Sequence, residues 1–201
     1  KYLENSDQDQ SKILDWLDLV KVKISKAQKP IGIVGQNSKS FYGNSLDKNT
    51  EILDTTKYTG IVNYDPSELV VVVRSGTSII ELEKALKEKN QTLGFDPPRF
   101  SISKQNSAPF LPGGTVGGMV ATGLSGPQRI FYGSCREGVL GLSVVNSDGK
   151  ILKFGGTVIK NVAGYDVSRL HVGAMGTLGL ILDVSLRVKP IPVCEETIVI
   201  P

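Results

Sequence analysis

The sequence predicts an α+β fold, and three observations carry the prediction. Helical periodicity and short β-branched runs follow one another without a steady β-α-β alternation, an Asp-Gly pair separates two apolar runs, and a late segment alternates apolar and polar residues. With 201 residues, 40% of them hydrophobic, the chain can bury a real core as one large domain or two small ones.

From the N-terminus, Ile13, Leu17, Val20 and Ile24 recur at helical spacing with Trp16 on the same side, which predicts an amphipathic helix over Ser11 to Lys29 ended by Pro30. Ile31 to Val34 reads as a short buried strand entering Gly35, and Glu51 to Asp54 as a second one. Leu69 to Arg74 is a β-branched strand closed by Ser75-Gly76. Ser78 and Glu81 have capping-box spacing, Ile79, Leu82 and Leu86 share a face, and Glu83 to Lys87 is an i,i+4 pair, so a helix is predicted over Ser78 to Lys89. Pro97-Pro98 then imposes an extended connector.

In the last third, Leu140 to Val145 and Ile151 to Phe154 flank Asp148-Gly149, a strong hairpin signal. Leu180, Leu182, Val184, Leu186 and Val188 alternate with Asp183, Ser185, Arg187 and Lys189, which predicts a half-buried antiparallel strand with Leu182, Val184 and Leu186 on one face.

Several function classes are disfavoured at this level. A net charge of +3 with dispersed lysines is no nucleic-acid footprint. No apolar run approaches the ~20 residues of a membrane span, and the N-terminus has no signal-peptide pattern. Cys135 and Cys194 are too few for a disulfide framework, which points to a reducing, cytoplasmic setting. Lys1 is not an initiator methionine, which reads as a processed chain or a piece of a longer one.

Sixteen of the 22 glycines fall between Gly113 and Gly179. Such density fits either a turn-rich β-domain or backbone that must lie against a ligand. Three loops stand out. Gly35-Gln36-Asn37-Ser38-Lys39-Ser40 follows a strand, so its amides can converge on phosphate oxygens, although on these residues alone a plain surface turn is the better reading and it is no Walker loop. Gly113-Gly114-Thr115-Val116-Gly117-Gly118, continuing through Thr122, Gly123 and Gly126, leaves backbone bare for a flat ring or a pyrophosphate. Gly173-Ala174-Met175-Gly176-Thr177-Leu178-Gly179 precedes a strand rather than following one, which is the reverse of a dinucleotide fingerprint, so a Rossmann reading is rejected.

Nucleophilic and metal chemistry find little support. His171 is the only histidine, so no second one completes a zinc site, and a hydrolase would have to depend on it. Asp166 and Arg169 read as a local ion pair, and Cys135, despite Arg136 beside it, as an inert thiol. No catalytic and no metal-binding residue is assigned.

Taken in order, these loops resemble the FAD-binding domains of the vanillyl-alcohol-oxidase-type flavoproteins (the PCMH-type fold), and among them the E-subunit family of bacterial glycolate oxidases. The resemblance runs from about Lys12 to Pro190. It rests on Ile33 to Lys39 with Phe41-Tyr42-Gly43, on Gly94 to Phe100, on Gly113 to Gly126, on Tyr132-Gly133-Ser134-Cys135-Arg136-Glu137 with Val139-Leu140-Gly141, and above all on Phe154 to Leu170, including Lys160-Asn161-Val162-Ala163-Gly164-Tyr165-Asp166.

The resemblance implies a two-lobed FAD-binding domain, a small N-terminal lobe over 1–56 and a larger, mostly antiparallel one over 57–193, with the flavin between them. Residues 194–201 would lead toward a cap domain that the chain does not contain. It further implies that Gly35, Gln36, Asn37, Ser38 and Lys39, with Tyr42-Gly43, wrap the FAD pyrophosphate. Pro112, Gly113, Gly114, Thr115, Gly117, Gly118, Thr122, Gly123 and Gly126 would run beside pyrophosphate and ring, with Tyr132, Gly133 and Ser134 joining the site, and Gly173, Gly176, Thr177, Gly179 and Leu180 would contact the ring. Gln36 stands where such domains commonly have glycine, and no His or Cys sits where covalent flavin is attached, so the FAD is expected to be noncovalent. The implied activity is oxidation of a small 2-hydroxy acid to the 2-oxo acid within a glycolate oxidase complex, beside a catalytic flavin subunit and an iron–sulfur subunit, cytoplasmic or peripheral at the inner membrane. The isolated fragment is expected to be inactive. The alternative is an assembly subunit of flavin fold that binds no flavin.

Overall fold

The computed structural model describes residues 7–101, 112–157 and 164–199. Helix α1 (Asp7–Ser25) starts earlier and stops sooner than the Ser11 to Lys29 expectation. Ser25 Oγ turns back to donate to the Val22 carbonyl, and the residues ahead of Pro30 leave the helical region that proline disfavours in its predecessor. Strands β1 (Ile31–Val34) and β2 (Glu51–Asp54) pair in parallel, with Ile31 opposite Glu51 and Val34 opposite Asp54.

The main sheet starts with β3 (Ile61–Asp65), a strand the sequence reading passed over, and β4 (Val70–Arg74). Helix α2 (Ile79–Lys87) follows, with Ser78 Oγ accepting from the Glu81 amide and Ile79, Leu82 and Leu86 buried, as the capping and spacing predicted. The expected Glu83–Lys87 pair gives way to a longer-range one: Arg99 donates to the Glu83 carboxylate and ties the Pro97-Pro98 connector to α2. Three two-residue strands come next, β5 (Gln91–Thr92), β6 (Phe100–Ser101) and β7 (Pro112–Gly113), the last two paired to each other. Helix α3 (Val116–Thr122) and the single turns α4 (Arg129–Tyr132) and α5 (Cys135–Gly138) lead into β8 (Val139–Val145). Strand β9 (Ile151–Gly155), the turn α6 (Val167–Leu170), β10 (Leu180–Arg187) and β11 (Lys189–Pro190) complete the order.

Strands β8 and β9 form the expected hairpin, with Val145 opposite Ile151, and Gly149 at φ +74° closes its loop. The large sheet has five antiparallel strands in the order β3-β4-β10-β8-β9. The class is therefore α+β, as the lack of a βαβ rhythm predicted.

One face of this sheet carries α2 and α3 over a cluster that includes Val71, Val73, Leu82, Leu86, Val116, Met119, Val184 and Leu186. The other face carries Val145, Leu180 and Leu182, covered by α1 through Val20, Ile13 and Trp16 and by Leu53 of β2. Trp16 stacks on Tyr58 at 5.2 Å between ring centroids, so the sequence from α1 to β2 packs directly on the sheet.

The single-face expectation for β10 is corrected. Ile181 pairs with Val144 and Val184 with Leu142, so Leu182 and Asp183 together face Ser143 in a β-bulge. The bulge reverses the alternation: Leu182 joins the α1 side while Val184 and Leu186 join the α2–α3 side. Strict period two in the sequence cannot reveal this, because the added residue is itself polar. Asp183 is accommodated by Tyr58 OH at 3.0 Å and Ser143 Oγ at 2.9 Å, both donating to its carboxylate.

Leu182 is 1% exposed and fills the space under α1. Leu182→Ala should destabilise the domain by about 2–5 kcal/mol in urea unfolding, the range for a buried leucine. A loss below about 1 kcal/mol would place Leu182 outside the packed core.

Candidate functional site

The first loop leaves β1 at Gly35, where the backbone passes against α3. A Cβ on Gly35 would lie 2.4 Å from Thr115 Oγ1, so only glycine permits this approach. Thr115 is the N-cap of α3 and its hydroxyl accepts from the Gly118 amide at 3.2 Å. The contact fixes the first loop on the second.

Gly114 is the second point of closure. Its φ of +128° belongs to glycine, its carbonyl accepts from the Ile79 amide at 3.0 Å, and its own amide donates to Gln36 Oε1 at 2.6 Å. Lys39 Nζ and Ser38 Oγ lie 3.2 and 3.6 Å from the point where a Gly114 Cβ would sit, so both loops converge there. Ser38 is buried, and Lys39 is half-buried and paired with no carboxylate among the described residues. Burial lowers the Lys39 pKa from the ordinary lysine value. The amides of Asn37, Ser38 and Lys39 make no hydrogen bond among the described residues, and Asn37 sits at φ +56°.

The expectation of bare backbone across Gly113 to Gly126 is corrected in part. Residues 116–122 are helical, and the amides of Val116, Gly117 and Gly118 are spent on Thr77 O, Ser75 O and Thr115 Oγ1. Gly114 spends its own on Gln36. Thr122 Oγ1 donates to Gly118 O, Gly123 ends α3 in the left-handed region, and the Gly126 amide donates to the Phe95 and Asp96 carbonyls. Pro112 and Gly113 pair with Ser101 and Phe100. The capping pair Thr115 and Gly123 is the signal that glycine richness concealed.

The third loop docks on the C-terminal end of α3, with the Gly173 amide donating to Val120 O and the Met175 amide to Ala121 O. It also meets the first loop. Met175 Cε is 3.2 Å from a Cβ position on Gly43, and Ile33 Cδ1 is 3.3 Å from one on Gly176. Thr177 Oγ1 donates to Ala174 O. Around this meeting point Phe41, Tyr42, Met175 and Leu178 are exposed apolar or aromatic side chains. Gly179 leads into β10, where the Leu180 side chain is buried under α1 and Leu180 pairs with Val145 of β8.

Tyr132 and Gly133 are placed elsewhere. They line a cavity of about 240 Å³ with Leu93, Phe95, Arg187 and Lys189, while Ser134 caps α5 in a capping box with Glu137. Within the family-deciding segment, Val158 to Ala163 lie outside the described residues. Asp166 caps α6 and pairs with Arg169 at 3.1 Å, the local role expected of it. His171 is buried with Phe154 stacked on it, and desolvation lowers its pKa below the ordinary histidine value. Arg136 does not activate Cys135: its guanidinium donates to Arg169 O, and burial pushes the thiol up to about 12.

Comparison with known proteins puts a class to this geometry. Residues 18–155 match the model of the FAD binding domain family, and the chain belongs to that family. Among curated relatives it is 45% identical over 163 residues to glycolate oxidase subunit GlcE of Escherichia coli (strain K12), covering 81% of this chain and 43% of that protein. It is 31% identical over 188 residues to the mitochondrial D-lactate dehydrogenase (cytochrome) of Arabidopsis thaliana, covering 93% and 30%. It is 32% identical over 138 residues to glycolate oxidase subunit GlcD of Bacillus subtilis (strain 168), covering 69% and 27%. The chain thus spans less than half the length of these relatives. A solved alkyldihydroxyacetonephosphate synthase superposes with a TM-score of 0.68 at 24% identity, over 90% of this chain and 31% of that one, which shows the shared fold.

The residues present fit an FAD. A dinucleotide flavin needs donors for an anionic pyrophosphate and an apolar surface for its rings. Among the described residues the first loop supplies amides and an ammonium without partners, and the junction of first and third loops supplies exposed apolar side chains.

Two outcomes follow. Gly114→Val forces a β-branched residue to φ +128° against Ile79, which costs about 1–3 kcal/mol of strain. The thermal midpoint should therefore fall along with flavin content, whereas an unchanged midpoint would show the turn to be relaxed. Native protein should show one thiol reactive to a disulfide reagent at pH 8, the exposed Cys194, and two after unfolding, because Cys135 is buried and protonated. Two reactive thiols in the native state would contradict the Cys135 environment.

Proposed function

We propose that this chain is the FAD-holding part of a flavoprotein oxidoreductase subunit of the glycolate oxidase kind, acting on a small 2-hydroxy acid within a multi-subunit complex. The observation that carries it is the junction of the first, second and third loops around Gly35, Gly114 and Gly176, in a chain 45% identical to a glycolate oxidase subunit over most of its length. A lobe division near Thr56 would fall at the turn from Thr55 to Tyr58 between β2 and β3, and the flavin would lie where the two lobes' loops meet.

The cofactor supplies hydride acceptance at the flavin ring. The chain's residues supply the rest. Asn37, Ser38 and Lys39 would hold the pyrophosphate, the backbone from Gly173 to Gly179 would flank the ring, and Phe41, Tyr42, Met175 and Leu178 would exclude water from it. Attachment would be noncovalent, since Gln36 and Asn37 in the first loop offer no nucleophile. Substrate oxidation needs a base within about 2.6–3.2 Å of the substrate hydroxyl. His171 is buried beside Phe154, and Asp166 is committed to Ser168, Arg169 and the α6 cap. Neither of these two is free to serve, and on this reading the base lies on a catalytic flavin subunit, with an iron–sulfur subunit taking the electrons onward. Peripheral attachment to a membrane would come through that complex; among the described residues no helix is long and apolar enough to cross a membrane.

A second reading, a flavin-fold assembly subunit without flavin, draws on one observation: Gln36 already occupies the Gly114 amide. One measurement separates the two. FAD should bind the full chain stoichiometrically, survive desalting, and at a hundredfold excess over Kd stabilise it by about 2.7 kcal/mol. No flavin uptake would establish the assembly reading. Glycolate-dependent dye reduction should appear only when the partner flavin subunit is added; comparable turnover by this chain alone would return a base to it.

A further inference from the structure

The hydrogen bond between Gly114 and Gln36 orients a side chain at the centre of the site. Gly114 N–H donates to Gln36 Oε1 at 2.6 Å, and an amide nitrogen cannot accept in its place. The planar carboxamide is therefore fixed with its Nε2 on the opposite branch. The two N–H donors of that nitrogen have no partner among the described residues. A Gly114 amide turned toward the ligand would offer one donor; Gln36 takes that donor and leaves two of its own uncommitted among the described residues.

The neighbours have the same polarity. Lys39 Nζ and Ser38 Oγ lie against Gly114, and Lys39 keeps its charge half-buried with no carboxylate beside it among the described residues. Carboxylates of the domain are engaged elsewhere, Glu83 with Arg99, Asp166 with Arg169, and Asp183 with Tyr58 and Ser143. A half-buried cation and a carboxamide anchored by its oxygen, both against Gly114 and neither Lys39 Nζ nor Gln36 Nε2 partnered among the described residues, are electrostatically incomplete without an anion.

We infer that Gln36 is a polarity relay in this chain: anchored through Oε1 to Gly114, it presents Nε2 beside the Lys39 ammonium as a side-chain clamp for the FAD pyrophosphate. Gln36 is thus a positioning residue for the phosphate loop and no obstruction to it. The inference rests on the FAD reading above and assigns individual residues within it.

Gln36→Glu tests the relay. A carboxylate accepts from Gly114 N–H as the carboxamide does, so the loop anchor survives, while the donor pair is replaced by an anionic oxygen. FAD affinity of the full chain, measured by quenching of flavin fluorescence, should fall about tenfold or more, the size of one charge-assisted hydrogen bond. Gln36→Gly should fall between wild type and Gln36→Glu, because the freed Gly114 amide returns part of the contact. Lys39→Met should also lose about tenfold, and wild-type affinity should weaken as salt rises. Circular dichroism of each variant reports its fold, and if Gln36→Glu does not fold, Lys39→Met and Gln36→Gly carry the test. Wild-type affinity in Gln36→Glu, or tighter binding in Gln36→Gly, overturns the relay and makes Gln36 an obstruction. Wild-type protein that binds no FAD at all overturns the flavin reading, and the relay with it.

Discussion

Strand β10 is the constraint on which the rest of the structure depends. It pairs with β4 on one edge and β8 on the other, and its apolar side chains supply both core clusters. A strand in that position reads as a continuous hydrophobic run, yet this one carries Asp183, Ser185 and Arg187. The bulge resolves the conflict by letting Leu182 and Asp183 share Ser143 as a partner, which turns Leu182 toward α1 and Val184 and Leu186 toward α2 and α3. Desolvation and the Asp183 carboxylate together raise the pKa of Tyr58, so the phenol stays protonated and able to donate to that carboxylate. Because Tyr58 also stacks on Trp16, the same residue ties the bulge to the N-terminal helix.

The site inherits its geometry from that arrangement. Helix α3 rests on the sheet through Val116, Met119 and Val120; its N-cap meets the first loop at Gly35 and its C-terminal end holds the third loop through Val120 O and Ala121 O. A seven-residue helix is too short to be stable alone, so its position is set by packing. Each loop is thereby attached to a rigid part of the core, and their separation does not depend on a ligand to define it.

Much of this was legible in the sequence. Helix α2, the parallel pair β1–β2 as two short strands, the β8–β9 hairpin and the α+β class all followed from spacing, capping and turn residues, because local chemistry and tertiary packing agree there. The bulge was not legible, since a period-two pattern looks the same with or without an extra polar residue. Strand β3 was hidden because Ile61, Val62 and Tyr64 are interrupted by Asn63, at the point where its pairing with β4 also shifts. Helix α3 was hidden by its glycines, although Thr115 and Gly123 mark both ends. The three loops were found from their residue types, but which amides remain free among the described residues was not: that the second loop is there spent internally and the first is not depends on contacts with Ser75, Thr77 and Gln36 that only the fold creates.

The distribution of spent and unspent donors also decides what a ligand does to the protein. Among the described residues the second loop's amides already contribute to stability without ligand, whereas Lys39 carries a desolvation cost that nothing offsets until an anion arrives. With its folded-state pKa lowered, Lys39 binds its proton less favourably in the folded than in the unfolded chain, so its contribution to stability is unfavourable throughout the neutral range and fades only as pH rises toward the lysine range. An anion beside it reverses that sign. Binding energy at this site is therefore partly the recovery of a cost already present in the fold. That recovery is electrostatic, and it is the component of affinity that a neutral flavin without phosphate could not reach.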